Sequence, residues 1–272
     1  MQVRPDEAAG IAWADTRHMS DLGAIYEAGD EDVRMVTASN RVEWERTLEL
    51  LERWLPPAPA RVLDIGGGPG RYAAWLAERG YAVQLLDPVP KHVRQARARG
   101  VEASEGDARA LPYGDEAADA VLMLGPLYHL PSASDRTLAL TEAVRCAAPG
   151  APVVVAAMSR WAKPAVKASR GELGDAAVRG YLLRVLAHGQ DVEGNAFDLV
   201  SYNHDPEELR GELVAAGLAD VLVLGIEGPL GAQARLDVSL ADTAISAARI
   251  AEVRAPHFSI HLLARGIKKA GQ

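Results

Sequence analysis

Short apolar runs alternate with amphipathic stretches along most of the chain. Five of these runs have the length and the bounding turn residues of buried strands, at residues 61–64, 83–87, 101–105, 120–124 and 152–157. Stretches with helical periodicity lie between them, such as residues 135–148, and Gly80 and Gly100 follow two of these stretches as C-terminal stop signals. This alternation predicts an α/β fold with a doubly wound, mainly parallel sheet.

Helical patterns flank this alternation. Residues 40–55 read "NRVEWERTLELLERWL", with apolar positions near one stripe, and the prolines that follow end the helix. The alternation breaks over residues 158–202 and then resumes with elements predicted at residues 205–218 (helix), 219–225 (strand), 236–252 (helix) and 258–266 (strand). We therefore expect a single domain over residues 1–272, with an N-terminal helical segment at 1–59 and an inserted helical lid at 158–202.

The composition narrows the possible partners and the compartment. The chain carries 29 Lys and Arg against 37 Asp and Glu, a formal charge of −8, and it has no basic block, which disfavours nucleic acid as a partner. Its one cysteine, Cys146, excludes a disulfide framework within the chain and is expected to be a small core residue. The sequence has no hydrophobic signal region and no run of the ~18 apolar residues that a membrane span needs. We expect a cytoplasmic monomer or homodimer that acts on a small molecule.

The stretch at residues 61–71, "RVLDIGGGPGR", places a glycine-rich turn directly after the first predicted strand. In a doubly wound sheet this turn borders the ligand crevice, where glycines let the backbone approach the ligand and the next helix points its free N–H groups at it. The dinucleotide pattern G-x-G-x-x-G fails, because Arg71 occupies the position of its third glycine, and the P-loop ending G-K-[ST] is missing. The pattern present is D-x-G-x-G-x-G, formed by Asp64, Gly66, Gly68 and Gly70.

This turn and the motifs that follow it resemble class I S-adenosylmethionine-dependent methyltransferases. Asp87 ends the second strand in "VQLLDPVP", where a carboxylate can accept both ribose hydroxyls. The resemblance implies that Asp107, in "SEGDARALPY", faces the adenine amino group with Ala108 at the ring edge, and that the backbone at Leu124 faces the amino-acid part of the cofactor. Each acid taken alone is also compatible with a turn residue at a strand end. The implied cofactor residues are Asp64, Gly66, Gly68, Gly70, Asp87, Asp107, Ala108, Leu124 and Tyr26, on a seven-stranded Rossmann-like sheet whose last strand is antiparallel.

Two polar residues near strand ends are the predicted catalytic residues. His129 follows the fourth strand in "GPLYHL" and acts as a general base, packs against the cofactor or bonds a backbone carbonyl. Arg160 follows the fifth strand and is the candidate binder of a substrate carboxylate. Lys163, Lys167 and Arg170 continue from it at helical spacing, which a solvated helix face also explains.

Two histidines and an aspartate in the second half of the chain suggest a metal site. The helix beginning at "HDPEEL" is expected to start at the crevice side of the sheet, which brings His204 and Asp205 there, and an antiparallel last strand begins on the same side with His261. Two imidazoles and one carboxylate form a set that binds divalent first-row metals with open positions. Asp205 also has the sequence context of a helix N-cap, His261 is compatible with a core position, and His257 is a spare donor.

These three residues, together with "GPLYHL" and the helix at residues 40–55, resemble metal-dependent methyltransferases that methylate the β carbon of 2-oxo acids for peptide natural products. The resemblance implies a divalent ion (Zn, Fe, Ni or Co) that binds an anionic 2-oxo acid, favours its enolate and makes the β carbon a nucleophile. Two alternatives stay open. One is a metal-free O- or N-methyltransferase with His129 as base, and the other is a non-catalytic S-adenosylmethionine-binding protein.

Overall fold

The first five strands form a parallel sheet whose central strands are mainly apolar because both faces of the sheet are covered. The computed structural model describes residues 26–27, 31–35, 37–191 and 201–270. The strands are β1 (Arg61–Ile65), β2 (Ala82–Asp87), β3 (Glu102–Glu105), β4 (Ala120–Met123) and β5 (Pro152–Ser159). All four residues of β4 are buried. The predicted strands are therefore confirmed, with bounds that shift by one or two residues.

The last long strand closes the sheet in the opposite direction to the others. The strand β8 (Leu218–Gly225) follows two short strands, β6 (Gln190–Asp191) and β7 (Ser201–His204), and β9 (His261–Lys268) comes last. β9 pairs antiparallel with β5 on one side and with β8 on the other, which gives the order β3-β2-β1-β4-β5-β9-β8. This confirms the doubly wound sheet with an antiparallel last strand. β7 adds to the end of β5 and β6 to β7, so the described residues contribute nine strands to the sheet where seven were expected.

Helices connect the strands and begin and end at recognisable signals. They are α1 (Glu31–Met35), α2 (Arg41–Trp54), α3 (Arg71–Ala77), α4 (Pro90–Ala98), α5 (Ala133–Cys146), α6 (Ala162–Ser169), α7 (Ala176–His188), α8 (Pro206–Ala215), α9 (Gly231–Leu236) and α10 (Ala241–Ala251). The single helix predicted at residues 236–252 is wrong in one respect. Asp237 interrupts it, because its carboxylate accepts the backbone N–H of Ser239 at 3.0 Å and caps a separate turn.

Two apolar layers enclose the sheet. On one face α5 and α8 pack through residues such as Leu140 and Leu209. On the other face α2, α3 and α4 contribute Leu50, Leu76 and Val93. Cys146 is a fully buried free thiol, as expected for a small core residue. With helices on both faces, a ligand crevice is expected at the carboxyl ends of the parallel strands.

Ion pairs connect the helix α1 to the helices that follow β1 and β2. Asp32 forms ion pairs with Arg71, at the start of α3, and with Arg99, just after α4, the latter at 2.5 Å. Burial favours the neutral form of Asp32, but the two arginines outweigh it and lower the pKa of this carboxyl. Residues 1–25 of the predicted N-terminal segment lie outside the described residues.

The segment predicted as a lid contains α6, α7 and β6, and its residues 192–200 lie outside the described residues. α7 buries Tyr181, Leu182 and Val185 in a small apolar cluster of its own. Its role as a substrate cover stays a prediction.

Candidate active site

The glycine turn after β1 requires its glycines for two reasons. Gly66, Gly68 and Gly70 all have positive φ, at 68°, 58° and 80°. A Cβ on Gly66 would also lie 2.6 Å from the ring of Pro126, so the loop after β4 approaches the turn as closely as a glycine allows. The turn is thus held against the two strand ends that border the crevice.

Asp64 lies beneath this turn instead of facing the crevice. Its side chain is 1% exposed, and neither carboxylate oxygen has a hydrogen-bond partner among the described residues. Burial and the nearby charge of Asp87 raise the pKa of Asp64 to about 7. A Cβ on Gly67 would lie 2.5 Å from Asp64 Oδ2, which shows how closely the turn covers the carboxyl group.

The larger part of the crevice, which we call the cofactor half, opens beside the glycine turn and encloses about 680 Å³ including its mouth. Seven of the predicted site residues line it, namely Tyr26, Gly66, Gly68, Asp87, Asp107, Ala108 and His129. Among the other predicted cofactor residues, Leu124 lines the adjoining part of the crevice, and Gly70 packs against Ala96 of α4.

Asp87 connects the end of β2 to the turn. Its Oδ2 accepts the backbone N–H of Gly68 at 2.8 Å. Its Oδ1 accepts the backbone N–H of Val89 at 2.9 Å and bonds Nδ1 of His92 at 3.1 Å. These three hydrogen bonds fix the carboxylate at the floor of the cofactor half and occupy part of its capacity to accept further hydrogen bonds.

Asp107 is held at the far end of the cofactor half by a neighbouring guanidinium. Arg109 Nη2 donates to Asp107 Oδ2 at 2.6 Å, and the backbone N–H of Arg109 donates to Oδ1 at 2.8 Å. Burial raises the pKa of Asp107, but Arg109 outweighs burial and lowers it. Asp107 is therefore an ionised acceptor beside Ala108.

An aromatic wall closes the cofactor half on the side of the N-terminal segment. The hydroxyl of Tyr26 forms a 2.9 Å hydrogen bond with Nε2 of His129, and the Tyr26 ring lies edge-on to His92, with 5.0 Å between centroids. Burial raises the pKa of Tyr26 well above its ordinary value, so the phenol stays neutral. His129 belongs to this wall and lines the cofactor half.

A second part of the crevice, the acceptor half, adjoins the first and encloses about 640 Å³ including its mouth. The two halves share Glu31, Gly66, Gly68, Gly125 and Tyr128. The acceptor half adds aromatic and apolar surface from Tyr72, Leu124 and Leu263, and charged groups from Arg34, Glu43 and His261. A molecule bound here would face the cofactor half across the glycine turn.

His261 is oriented in the acceptor half by a buried glutamate. Glu227, in the loop after β8, is 1% exposed; its Oε1 bonds His261 Nδ1 at 2.5 Å, and its Oε2 accepts the backbone N–H of His261 at 2.9 Å. Burial would lower the pKa of His261, but Glu43 and Glu227 outweigh it and raise the pKa above its ordinary value. Burial would raise the pKa of Glu227, and His261 lowers it. A histidine held by a buried carboxylate in this way has the arrangement of a general base.

Sequence reasoning did not identify Glu227. The signal was present in "LGIEGP", where an acid follows the end of an apolar strand at the same edge of the sheet as Asp87. Arg235, on α9, was missed as well. It donates to Glu43 at 2.7 Å and to Glu227 at 3.4 Å and so links both carboxylates around His261.

The predicted metal set of His204, Asp205 and His261 is not brought together. Asn203 and His261 both pair with Met158 of β5, so His204, next along β7, points to the opposite face of the sheet from His261. His204 is fully buried and bonds Glu212 of α8 at 3.2 Å. Asp205 caps α8, where it accepts the N–H of Glu207 at 2.9 Å. The helix-cap alternative for Asp205 is thus what the geometry supports.

One other set in the described part of the chain could be considered for a metal. Single oxygen and nitrogen atoms of Glu43, Glu227 and His261 lie within 4.8 Å of one another. The guanidinium of Arg235 is within hydrogen-bond distance of both carboxylates, and a cation there would meet its positive charge. These residues therefore do not fit a divalent metal; their charges are already balanced by Arg235 and His261.

Arg160, the predicted carboxylate binder, lies outside both halves of the crevice. Its guanidinium pairs with Glu208 of α8 at 2.5 Å and donates to the carbonyl of Asn203 at 3.4 Å. Lys163 and Lys167, which follow it on α6, pair with Asp191 and Glu172 at 2.8 and 2.6 Å. The basic residues after β5 thus stabilise the segment at residues 158–202. In the acceptor half, Arg34 is the guanidinium that lines the wall.

The comparisons with known proteins agree with this architecture. Residues 63–155 match the family model described as a methyltransferase domain. The chain is 31% identical over 212 residues to a demethylmenaquinone methyltransferase of Thermus thermophilus, covering 71% of this chain and 90% of that protein. It is 30% identical to the methyltransferase GfsG of Streptomyces halstedii, covering 67% and 69% of the two chains.

A solved structure extends the likeness over nearly the whole fold. A Thermotoga maritima SAM-dependent methyltransferase, described as a possible histamine N-methyltransferase, superposes with a TM-score of 0.59 at 20% identity, covering 93% of this chain and 99% of that one. In the part of the chain that the structure describes, no helix is long and apolar enough to cross a membrane. The chain belongs to the S-adenosylmethionine-dependent methyltransferases that carry this methyltransferase domain, and it is an enzyme of that family.

Proposed function

We propose that the enzyme methylates a small molecule whose proton is removed by His261. The sulfonium methyl group of the cofactor is already activated, so the protein has to place a nucleophile in line with it and to generate that nucleophile. The cofactor would lie in the cofactor half with its ribose at Asp87 and its adenine at Asp107. The methyl group would then face the acceptor half, which contains His261.

The observation that carries this proposal is the pairing of His261 with buried Glu227 in the acceptor half. Glu227 fixes the ring through Nδ1 and leaves Nε2 as the nitrogen that takes the acceptor's proton. The imidazolium that forms is stabilised by Glu227 and Glu43, which lies 3.8 Å from Nδ1. This role replaces the one predicted for His129, which bonds Tyr26 in the cofactor half.

The acceptor that this geometry supports best is a hydroxyl or an amine on a small metabolite. Tyr72 and Tyr128 line the acceptor half and suit a flat apolar part. Glu31 and Glu43 in the same wall are paired with Arg34 and Arg235, so the wall favours a neutral molecule. O- or N-methylation of such a group releases one proton, which His261 accepts. No metal is needed for this chemistry.

The second candidate acceptor is a 2-oxo acid methylated at its β carbon. Arg34 favours it, because this arginine lines the acceptor half and its Nη1 lies 4.0 Å from Glu43, within reach of a bound carboxylate. His261 would then remove the β proton to form the enolate. A preparation that exchanges β protons of a 2-oxo acid for solvent deuterium, without cofactor, would favour this candidate over the first.

A panel of acceptors with methyl-labelled S-adenosylmethionine tests the proposal. We expect methyl transfer to a phenol, an amine or a 2-oxo acid, and unchanged turnover after a chelator and dialysis. His261→Asn should lower kcat by roughly 10²–10³, in the range of a lost general base. His257→Asn is the matched control, since His257 precedes β9 and does not line the crevice in the described part of the chain.

The pH profile separates a base from a structural histidine. Because the imidazolium cannot accept a proton and the pKa of His261 is raised, kcat should fall on the acid side with a midpoint above 6.5. Glu227→Gln removes one of the charges that raise this pKa, so the acid limb should move to lower pH. If chelation abolished turnover, or if the acid limb did not respond to Glu227→Gln, His261 would not be the base.

A further inference from the structure

His92 is a buried polar side chain in the cofactor half for which the proposed chemistry has no role so far. It lies on α4, is 3% exposed, and lines the cavity next to Asp87. Its Nδ1 bonds Asp87 Oδ1 at 3.1 Å. Its Nε2 is buried and has no hydrogen-bond partner among the described residues. An apolar side chain would fill the same space without leaving a polar nitrogen unsatisfied, so the packing of α4 does not account for a histidine here.

The number of hydrogen bonds that Asp87 can accept indicates a role for Nε2 of His92. A carboxylate has about four lone-pair positions. Asp87 uses three of them on the N–H groups of Gly68, Val89 and His92. A ribose brings two hydroxyl donors to this position, and Asp87 can take one of them. The second hydroxyl needs a different acceptor.

His92 provides that acceptor in its neutral form. Since Nδ1 donates its hydrogen to the carboxylate of Asp87, the neutral ring carries its free lone pair on Nε2. The Tyr26 ring lies edge-on to the imidazole at 5.0 Å and shields it from water, which strengthens any hydrogen bond formed there.

We propose that the ribose diol of the cofactor is divided between two residues, with one hydroxyl donating to Asp87 and the other to Nε2 of His92. This inference rests on the proposed function, in which the cofactor lies along the glycine turn with its ribose at Asp87. It assigns His92 as a cofactor-binding residue that also orients the carboxylate beside it.

Calorimetric titration with S-adenosylhomocysteine and with its 2′-deoxy and 3′-deoxy analogues tests the division. Wild-type enzyme should bind each analogue more weakly than the parent, by roughly tenfold, the usual contribution of one hydrogen bond. His92→Asn keeps an amide donor near the position of Nδ1 for Asp87 and removes the Nε2 acceptor. This variant should bind the parent about tenfold more weakly. It should also bind one of the two deoxy analogues as tightly as it binds the parent.

The outcomes separate this inference from the proposed function. His92→Gln, whose amide oxygen can reach the Nε2 position, should restore part of the discrimination that His92→Asn loses. An equal loss for the parent and for both analogues would mean that His92 only supports the fold and would overturn the division. Unchanged affinity in His92→Asn would overturn it as well. If wild-type enzyme bound none of the three ligands, the cofactor position itself would be wrong.

Discussion

Asp64 illustrates how a single residue can serve the site without touching the crevice. Its carboxyl group is buried under the glycine turn with no hydrogen-bond partner in the described part of the chain, and its pKa is raised to about 7. An ionised carboxylate in such a position is costly. The folded enzyme therefore holds a proton on Asp64 at pH values where the unfolded chain has lost it.

This protonation predicts an unusual dependence of stability on pH. The pKa of Asp64 is about 7 in the folded chain against 3.8 ordinarily, so the folded state binds more protons between these values. The free energy of unfolding should accordingly fall as the pH rises from 4 to 7, by on the order of 3 kcal/mol from this group. Asp64→Asn should remove that part of the slope in denaturant titrations at pH 5 and pH 8.

The comparison of wild type with Asp64→Asn also has outcomes that would contradict a neutral Asp64. If Asp64→Asn and wild type lost stability in parallel over this range, the carboxyl group would already be ionised or have a partner. Because the substitution exchanges one buried polar group for another of equal size, a large loss of stability at pH 5 would also contradict the neutral state of Asp64.

Sequence could predict those site residues whose position follows from the strand ends alone. Asp87 and Asp107 follow β2 and β3, and the carboxyl ends of parallel strands meet at one edge. Glu227 and Arg235 could not be predicted in the same way, because their contact with His261 depends on how the loop after β8 and helix α9 fold over the crevice. His204 was misplaced because a one-residue step along β7 reverses the face of the sheet.

At the scale of one element, the glycine turn allows the effect of backbone strain to be measured separately from the effect of contact with the ligand. Gly68 and Gly100 both have positive φ, at 58° and 79°, and a Cβ at either position meets no atom within 4 Å. The backbone strain of an alanine is thus similar at both, on the order of 1 kcal/mol. Only Gly68 lines the crevice, where an added methyl group would occupy space next to the cofactor.

Gly68→Ala and Gly100→Ala should therefore lower the melting temperature by similar amounts, while only Gly68→Ala weakens S-adenosylhomocysteine binding, by tenfold or more. Calorimetric titration and thermal unfolding of the two variants check this. Equal affinity in both variants would show that the cofactor does not approach the turn as closely as we propose.

At the scale of the whole molecule, ion pairs connect helix α2, which precedes β1, with helix α10, which precedes β9. Arg46 of α2 is fully buried and pairs with Glu252, at the end of α10, and with Glu49 at 2.5 Å. Arg41 of the same helix pairs with Asp242 at 2.7 Å, where the aspartate side chain is 83% exposed. The two pairs join the same helices but differ in burial.

Because the two ion pairs differ in burial, removing Glu252 and removing Asp242 should lower the stability of the protein by different amounts. Glu252→Ala leaves a buried guanidinium with one partner and should lower the free energy of unfolding by about 2 kcal/mol. Asp242→Ala removes an exposed pair and should leave the melting temperature nearly unchanged. Denaturant titrations of both variants compare them, and equal effects would mean that Arg46 does not depend on Glu252.

The whole-molecule architecture was more predictable than the site. Apolar runs, glycine stops and the turn after β1 indicated the parallel sheet, because these patterns depend on local periodicity. The antiparallel last strand was implied by the family resemblance. The short strands β6 and β7 have too few residues for a periodicity to appear, so nine strands were not expected. The non-catalytic alternative is set aside by the family to which the chain belongs.

The position of β9 has a consequence for the order in which this enzyme acquires its parts. β9 comes last among the described strands, yet it lies between β5 and β8 and carries His261. As the polypeptide leaves the ribosome, the residues of the cofactor half become available first, and the sheet stays open between β5 and β8 until β9 inserts. If His261 is the base, as we propose, a nascent chain can offer a place for the cofactor before it has that base, so methyl transfer requires β9 to be in place.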